Sequence, residues 1–323
     1  MKIKLLTTIV IFTILLSACT QTDADTNQTG GSQSSEPTQS VEPTQPLISF
    51  EDALGHNVTI SEAKRVIALS GSFAQIWLLA GGELVGTTQD AFESGYVTDE
   101  TVGDVGGVHS PDLESIIALD PDLVILSQTA SGHVKLYDQL NDAGITTAYF
   151  TVEIFTEYLD MLKICTDITG RSDLYEANGA AVSEKINAIT GKASLSSYRP
   201  TVLLIRATST GVSARNSDTL AGAMLNDLGC LNIVSKDKNL LENLSVEAII
   251  DADPDFIFAV TMGDDDKALA VIEDTLVNNP AWAGLSAVVN NKYYVLPKEL
   301  FHQKPNNRWG ESYEMLYEII FDR

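Results

Sequence analysis

The sequence predicts an α/β protein of two similar lobes, each a central β-sheet flanked by helices, joined by a helix. Three observations lead there. After Phe50, short β-branched runs alternate with stretches of helical period, the signature of α/β architecture. LESIIALDPDLVIL (113–126) and VEAIIDADPDFIFA (246–259) align without a gap, sharing a glutamate, both isoleucines and the Asp-Pro-Asp turn. Between them, about Val152 to Ala193 reads as helix, broken or kinked near Thr169-Gly170-Arg171.

In chain order, residues 1–18 precede either lobe. Lys2 and Lys4, an apolar run from Leu5 to Leu16, then Ser17 and Ala18 read as a secretion signal. The run falls short of the roughly 20 apolar residues that span a membrane. Leu16-Ser17-Ala18-Cys19 resembles the bacterial lipoprotein signal-peptidase box, which implies a mature chain beginning at lipidated Cys19. Residues 19–46, rich in Gln, Thr, Ser, Gly and acids, bury too little surface to fold and read as a tether. Only Cys165 and Cys230 then remain; a disulfide is possible, but two cysteines in separate segments are more often buried and unpaired.

The first lobe (47–151) carries candidate strands Val58–Ile60, Arg65–Leu69, Leu84–Thr88, Asp122–Ser127 and Thr146–Phe150. An interlobe helical region (152–197) follows, its second part a helix of ~20 residues, or ~30 Å. The second lobe (198–323) carries Thr201–Ala207, Asn232–Val234, Asp255–Thr261 and Lys292–Leu296. In each lobe the first strand runs into a small-residue loop and a helix: LSGSFAQ at 69–75 and RATSTGVSARNSD at 206–218. Ligands of open α/β sheets bind beyond the carboxyl ends of strands. Two such edges across a cleft make a clamp.

Composition removes several function classes. Lys and Arg total 20 against 44 Asp and Glu, a formal net charge of -24, so nucleic acid is excluded as a partner expectation. There is no G-x-S-x-G elbow, no Walker loop and no G-x-G-x-x-G after a strand. Only a lipid-anchored hydrolase without a motif remains as an enzyme alternative, and no enzyme is expected. The four histidines form no spaced cluster, which argues against a free Zn or Mn site.

At this point the chain resembles a known family. The lipobox, the tether, the lobes and the segment VGDVG…PDLESIIALDPDLVI (102–125), with NPAWAGLSAVVNNKYYVL (279–296), are similar to substrate-binding proteins of ABC importers for iron-siderophore, haem and corrinoid complexes. The resemblance covers about residues 48–323. It implies two Rossmann-like lobes bridged by a single long helix with limited hinge closure. It also implies a permease dimer with its ATPase as partner, a membrane attachment through the lipid anchor at the outer face of a Gram-positive type cytoplasmic membrane, and a monomer. No intrinsic cofactor is expected; the iron-siderophore, haem or corrinoid is the transported ligand, with ferric siderophore first among them. A receptor feeding a sensor leaves the same traces.

The family presents one acid per lobe to arginines of the permease, at positions matching Glu114 and Glu247. Ser110-Pro111 and Ser245 read as N-caps there, and acids in a first turn also favour the helix dipole. For an anionic chelate, guanidinium groups suit because they stay charged and bond bidentately. Arg206 ends a predicted strand where the cleft should open, and Arg215 follows in the loop. FHQKPNNRWGES (301–312) adds His302, Lys304 and Arg308 after the last strand; Arg308 could equally hold an acid. Ser70, Phe92, Ser127 and Gln128 occupy strand-end loops, as do Ser72, Phe73 and Asp90. Trp309 and Phe301 could pack on a flat ligand or belong to the core, and Met262 and His302 are axial-ligand candidates if the cargo is haem.

Overall fold

A computed structural model describes residues 47–322 apart from 62, 236–240, 242 and 243. The expected signal peptide, Cys19 and the tether to residue 46 lie outside the described residues.

Strand β1 (Ile48–Glu51) pairs antiparallel with β2 (Asn57–Ile60) as an entry ribbon, an element the sequence reading missed in its first strand. The Asp52 carboxylate accepts the N–H of Leu54 and of His56 at 2.9 Å each, and that of Tyr149 at 3.2 Å, which ties the ribbon to the first sheet. That sheet is built from β3 (Val66–Ala68), β4 (Leu84–Thr87) and β5 (Gly103–Asp104). A small ribbon of β6 (Gly106–Gly107) and β7 (Ser110–Pro111) precedes β8 (Leu123–Ser127) and β9 (Thr146–Phe150). The order is β5-β4-β3-β8-β9, with every pair parallel. Strand order therefore reverses between β3 and β8, and a crevice opens beyond their carboxyl ends.

The second sheet repeats the plan with β10 (Thr201–Thr208), β11 (Gly211–Arg215), β12 (Leu231–Asn232), β13 (Phe256–Thr261) and β14 (Tyr293–Val295). Its order is β11-β10-β13-β14, with β12 parallel to the start of β10. Here the reversal falls between β10 and β13. The segment expected as a loop after Arg206 is instead the antiparallel hairpin β10–β11, with Ser209 and Thr210 at its turn. The reason is local: Gly211 pairs with Thr208 at the turn, and Val212 and Ala214 alternate with Ser213 and Arg215, a period of two. The Asn232–Val234 strand is likewise shorter than expected, giving way to a 3-10 turn at Ile233–Ser235.

The Asp-Pro-Asp repeat has one structural job in both halves. Its first aspartate closes a helix in the left-handed region, Asp120 at φ 47° and Asp253 at φ 37°. Its second reaches sideways to the adjoining parallel strand: Asp122 accepts the N–H of Lys64 at 2.8 Å and of Arg65 at 3.0 Å, and Asp255 accepts that of Thr201 at 2.8 Å. Proline between them stops the helix and fixes the approach. The motif thus satisfies the free amides at the start of each lobe's first strand.

Strand alternation divides the core. Val66, Ala68, Leu123 and Ile125 share one apolar cluster with Val202, Leu204, Phe256 and Phe258, and the same cluster takes in Met161, Ile189 and Leu316 from three helices. The opposite sheet faces bury Ile67, Leu69, Val124 and Leu126 in a second cluster and Leu203, Ile205, Ile257 and Ala259 in a third. Such two-faced burial explains the nearly continuous apolar runs of β8 and β13.

Helix Phe155–Thr169 ends at Gly170, which adopts φ 71° as a left-handed cap, where the sequence placed a break. The connecting helix then runs through Ser172–Tyr175, a π turn at Glu176–Ala180 and Ala181–Leu195, ~36 Å in all. At the π turn a Cβ on Gly179 would stand 3.1 Å from Leu162 and 3.2 Å from Leu159, so the small residue permits close helix packing. Asn178 donates to the Leu79 carbonyl at 3.0 Å while its own carbonyl accepts from Tyr158 at 2.8 Å. Lower down, Lys185 pairs with Glu314 of the C-terminal helix Trp309–Phe321 at 2.6 Å. The bridge is therefore fastened to both lobes. Cys165 and Cys230 are free and buried, and burial pushes each thiol up to about 12.

Candidate ligand-binding cleft

The carboxyl edges of the two sheets meet through named contacts. Asn306, wholly buried and at φ 51°, donates from Nδ2 to the Ser72 carbonyl at 2.9 Å and to Gln75 Oε1 at 2.6 Å. Lys304 pairs with Glu153 at 2.8 Å, and the Phe155 and Trp309 rings lie 5.7 Å apart. The segment 301–312 is thus a strap from the end of the second sheet onto the first lobe.

Its cations are largely committed. Arg308 makes a bidentate pair with Glu311 at 2.7 and 2.8 Å, and Lys304 is held by Glu153. His302 is half-buried, and burial together with Lys304 and Lys298 lowers its pKa, favouring neutral imidazole. Trp309 belongs to the core rather than to an open surface, although its indole N–H has no acceptor among the described residues.

The hairpin holds cations of another kind. Arg206 faces Ser213 across the ladder and Arg215 faces Leu204, so both arginines lie on one face of the hairpin as diagonal neighbours. Both Nε atoms are buried without a hydrogen-bond partner, and neither guanidinium has an ion pair among the described residues. A charged donor left without an acceptor costs more than the ~1–3 kcal/mol of a neutral one. Two like charges side by side add repulsion. An anion bridging the pair would satisfy both, as a carboxylate, catecholate or propionate does.

In the first lobe, the end of β3 presents Ser70 and Ser72 with hydroxyls 3.0 Å apart, and the end of β8 presents Ser127 and Thr129, also 3.0 Å apart. Helix Gly71–Leu79 starts at this edge. Asp90 accepts the Gly71 N–H at 2.7 Å and the Thr88 hydroxyl at 2.6 Å. A Cβ on Gly71 would stand 2.9 Å from both Ala91 N and Asp90 Oδ2, so glycine is required by this approach. Asp90 is accordingly a positioning group for the Ser70–Ser72 turn. Gln128 is a brace: its amide donates to the Ala53 carbonyl at 2.7 Å and accepts from Thr151 at 2.6 Å. Phe92 is half-buried against the shared core, whereas Met262, at the end of β13, is 40 % exposed.

Several cleft groups were missing from the sequence reading. Tyr96 has its pKa raised chiefly by burial, with the Arg308 charge lowering it and Asp90 and Glu299 raising it. Lys298 pairs with Asp265 at 2.9 Å, and Asp265 also accepts from Thr261 at 2.7 Å. Glu153 and Asn306 carry the interlobe contacts. Only Asn306 had a legible signal, an Asn-Asn pair in a turn, a residue type that tolerates φ > 0. Among the described residues no three His, Cys, Asp or Glu side chains converge as a metal site. A separate concavity of about 670 Å³, lined in part by Phe256, Lys292 and Glu318, lies at the amino ends of β13 and β14, away from this edge.

On the outer faces, Glu114 and Glu247 are both exposed in first helical turns. Ser245 caps its helix, accepting the Ala248 N–H at 3.2 Å. Ser110-Pro111 does not cap the other; those residues form β7, and Asp112 is the cap, accepting from Glu114 and Ser115 at 3.3 Å each.

Two similar α/β lobes on a helical bridge, with ligand-competent groups at facing strand ends, define a two-lobed solute-binding protein. Residues 66–300 match the periplasmic binding protein family model, and the chain belongs to that family. Its members are extracytoplasmic substrate-binding components of ABC importers. A cobalamin-binding protein of Halobacterium salinarum is 27% identical over 256 residues, covering 76% of this chain and 68% of that one. Among solved structures, Staphylococcus aureus SirA complexed with staphyloferrin B is similar at TM-score 0.66 and 21% identity, covering 84% of this chain and 98% of that one. S. aureus IsdE complexed with heme is similar at TM-score 0.65 and 16% identity, covering 80% and 98%. No helix among the described residues is long and apolar enough to cross a membrane.

Proposed function

We propose that this protein captures a ferric siderophore between its lobes and delivers it to an ABC permease dimer with its ATPase, held by a lipid on Cys19 at the outer face of a Gram-positive type cytoplasmic membrane. The observation that carries the cargo assignment is the Arg206–Arg215 pair, acid-free among the described residues and with both Nε donors unsatisfied. An anionic chelate supplies what this pair lacks. Ser70 and Ser127 provide hydroxyls from the facing edge, Gln128 and Phe92 hold its walls, and Lys304, Arg308 and Trp309 shape the strap. Glu114 and Glu247 are the proposed permease contacts, one on each lobe, because complementary charge orients an encounter with paired subunits.

Haem is the second reading, supported by exposed Met262 and by neutral His302, two residue types that ligate haem iron. A corrinoid reading leans on the H. salinarum relative, yet a cargo without anionic groups would leave the arginine pair unneutralised. Thermal-shift screening against ferric siderophores, haem and cobalamin, with an absorption spectrum of freshly purified protein, tests the assignment. A siderophore charge-transfer band with a raised melting temperature is the expected result. A Soret band, or a shift with cobalamin alone, would refute the siderophore cargo.

A further inference from the structure

The internal repeat places more than an acid on each outer face. Within LESIIALD and VEAIIDAD, the first isoleucines, Ile116 and Ile249, are both fully buried at 0%. The second isoleucines point outward in both: Ile117 is 43% exposed and Ile250 is 36% exposed. Each stands three residues after an exposed glutamate, so Glu114 and Ile117 share one helix face, as do Glu247 and Ile250. Neither glutamate side chain has a hydrogen-bond or ion-pair partner among the described residues. A single exposed isoleucine means nothing by itself. What gives these two weight is their repetition beside the same acid, although the residues that follow differ, Ala118 in one lobe and Asp251 in the other.

We propose that Ile117 and Ile250 are the apolar halves of a duplicated docking patch, and that its occupant is the two-fold permease dimer, each subunit offering a cationic side chain beside an apolar one. The assignment rests on the importer reading above and extends it. Two like patches on one chain fit two like subunits, which a single-copy partner does not supply. A second copy of this chain is a poor occupant, because a chain of formal net charge -24 would set carboxylate against carboxylate. Beside each ion pair the isoleucine excludes water, and a drier surround strengthens the charge contact. Burying the exposed part of each side chain is enough to matter on the scale of a docking equilibrium.

The test uses the full lipidated chain and its cognate permease–ATPase complex in nanodiscs, with docking read by interferometry. I117S and I250S should each weaken docking about tenfold, and I117S/I250S about a hundredfold. Ferric-siderophore affinity and melting temperature should be unchanged, and I117M/I250M should restore docking. Wild-type docking by I117S/I250S, with loss of docking in E114A/E247A, overturns the isoleucine assignment and leaves the importer reading intact. Failure of the unsubstituted chain to engage the complex overturns both. Dispersal of a dimer of this chain by I117S/I250S, seen by light scattering, assigns the patch to self-association and also overturns the proposal.

Discussion

Replacing both hairpin arginines with methionine separates a ligand-binding role from a structural one, because the two predict opposite signs for the empty protein. In the structure both Nε donors are buried and unsatisfied, and neither guanidinium meets a carboxylate among the described residues. Removing an unsatisfied buried donor recovers ~1–3 kcal/mol, offset by whatever packing the arginine stem contributed. R206M/R215M should therefore leave the unliganded protein as stable as the parent or raise its melting temperature by about 2–4 °C for each kcal/mol gained. Binding should move the other way. Each charge-assisted bond to an anionic chelate is worth ~1.5–3 kcal/mol, so one arginine should cost about 10–100-fold in affinity. Thermal melts of the empty protein and fluorescence-quench titration with a ferric siderophore, in one buffer, read both quantities. Arg206→Lys should keep the charge but lose the fork, giving an intermediate affinity. A loss of more than about 1 kcal/mol of stability with unchanged affinity would refute the reasoning and make the pair structural.

Three further outcomes follow from the geometry. His133 accepts the Ser127 N–H on Nδ1 at 2.9 Å and donates from Nε2 to the Val108 carbonyl at 2.7 Å; burial lowers its pKa, against the Val108 bond, and His109 lowers it further. Below the usual imidazole value of ~6.5 the unfolded chain then binds more protons than the native one, so this contribution is full above ~6.5 and is lost as pH falls; an NMR midpoint for His133 above that value would contradict the assignment. Asn306→Ala removes the two hydrogen bonds of Asn306 to helix Gly71–Leu79 and should cost about 1–3 kcal/mol in urea unfolding; an unchanged midpoint would show that the strap is not fastened there. Gly222→Ala places a Cβ 1.8 Å from the Asn216 carbonyl oxygen, one residue past Arg215, and should destabilise by about 3 kcal/mol or more, whereas Gly191→Ala, in open space within helix Ala181–Leu195, should stabilise by up to about 1 kcal/mol.

The parts of this protein that follow from periodicity were readable in the sequence. Strands β8, β9 and β13 fall within a residue of their expected bounds because both faces of each are buried, giving apolar runs between turn signals. Gly170 marked the helix break because a helix that ends in the left-handed region favours glycine. What escaped depended on pairing across distance. β11 carries only two apolar side chains, Val212 and Ala214, in its period of two, and its pairing with β10 completes it as a strand. Glu153 is an ordinary residue in sequence, and its role, like the interlobe role of Asn306, arises when the second lobe's last loop lies on the first. Asp90 read only as a strand-end loop residue, and the structure shows it holding the Gly71 amide.

The cations of this acidic chain sort by what surrounds them, and the sorting reverses the order suggested by local density. Residues 301–312 hold the densest cluster, but Lys304 is spent on Glu153 and Arg308 on Glu311, while Asn306 fastens the same segment to helix Gly71–Leu79. Exposed or half-exposed pairs of this kind contribute little energy; their value lies in fixing where the strap runs. The hairpin arginines are sparser in sequence but lie on one sheet face with no acid among the described residues to neutralise them. In a chain with 44 acids, keeping two neighbouring guanidinium groups free of them is a costly arrangement that packing alone does not require. Methionine or leucine would fill the same space without an orphaned donor. On the proposed function the cost becomes intelligible, because an anion from outside would complete the pair, with the strap framing the cleft and the hairpin recognising the cargo.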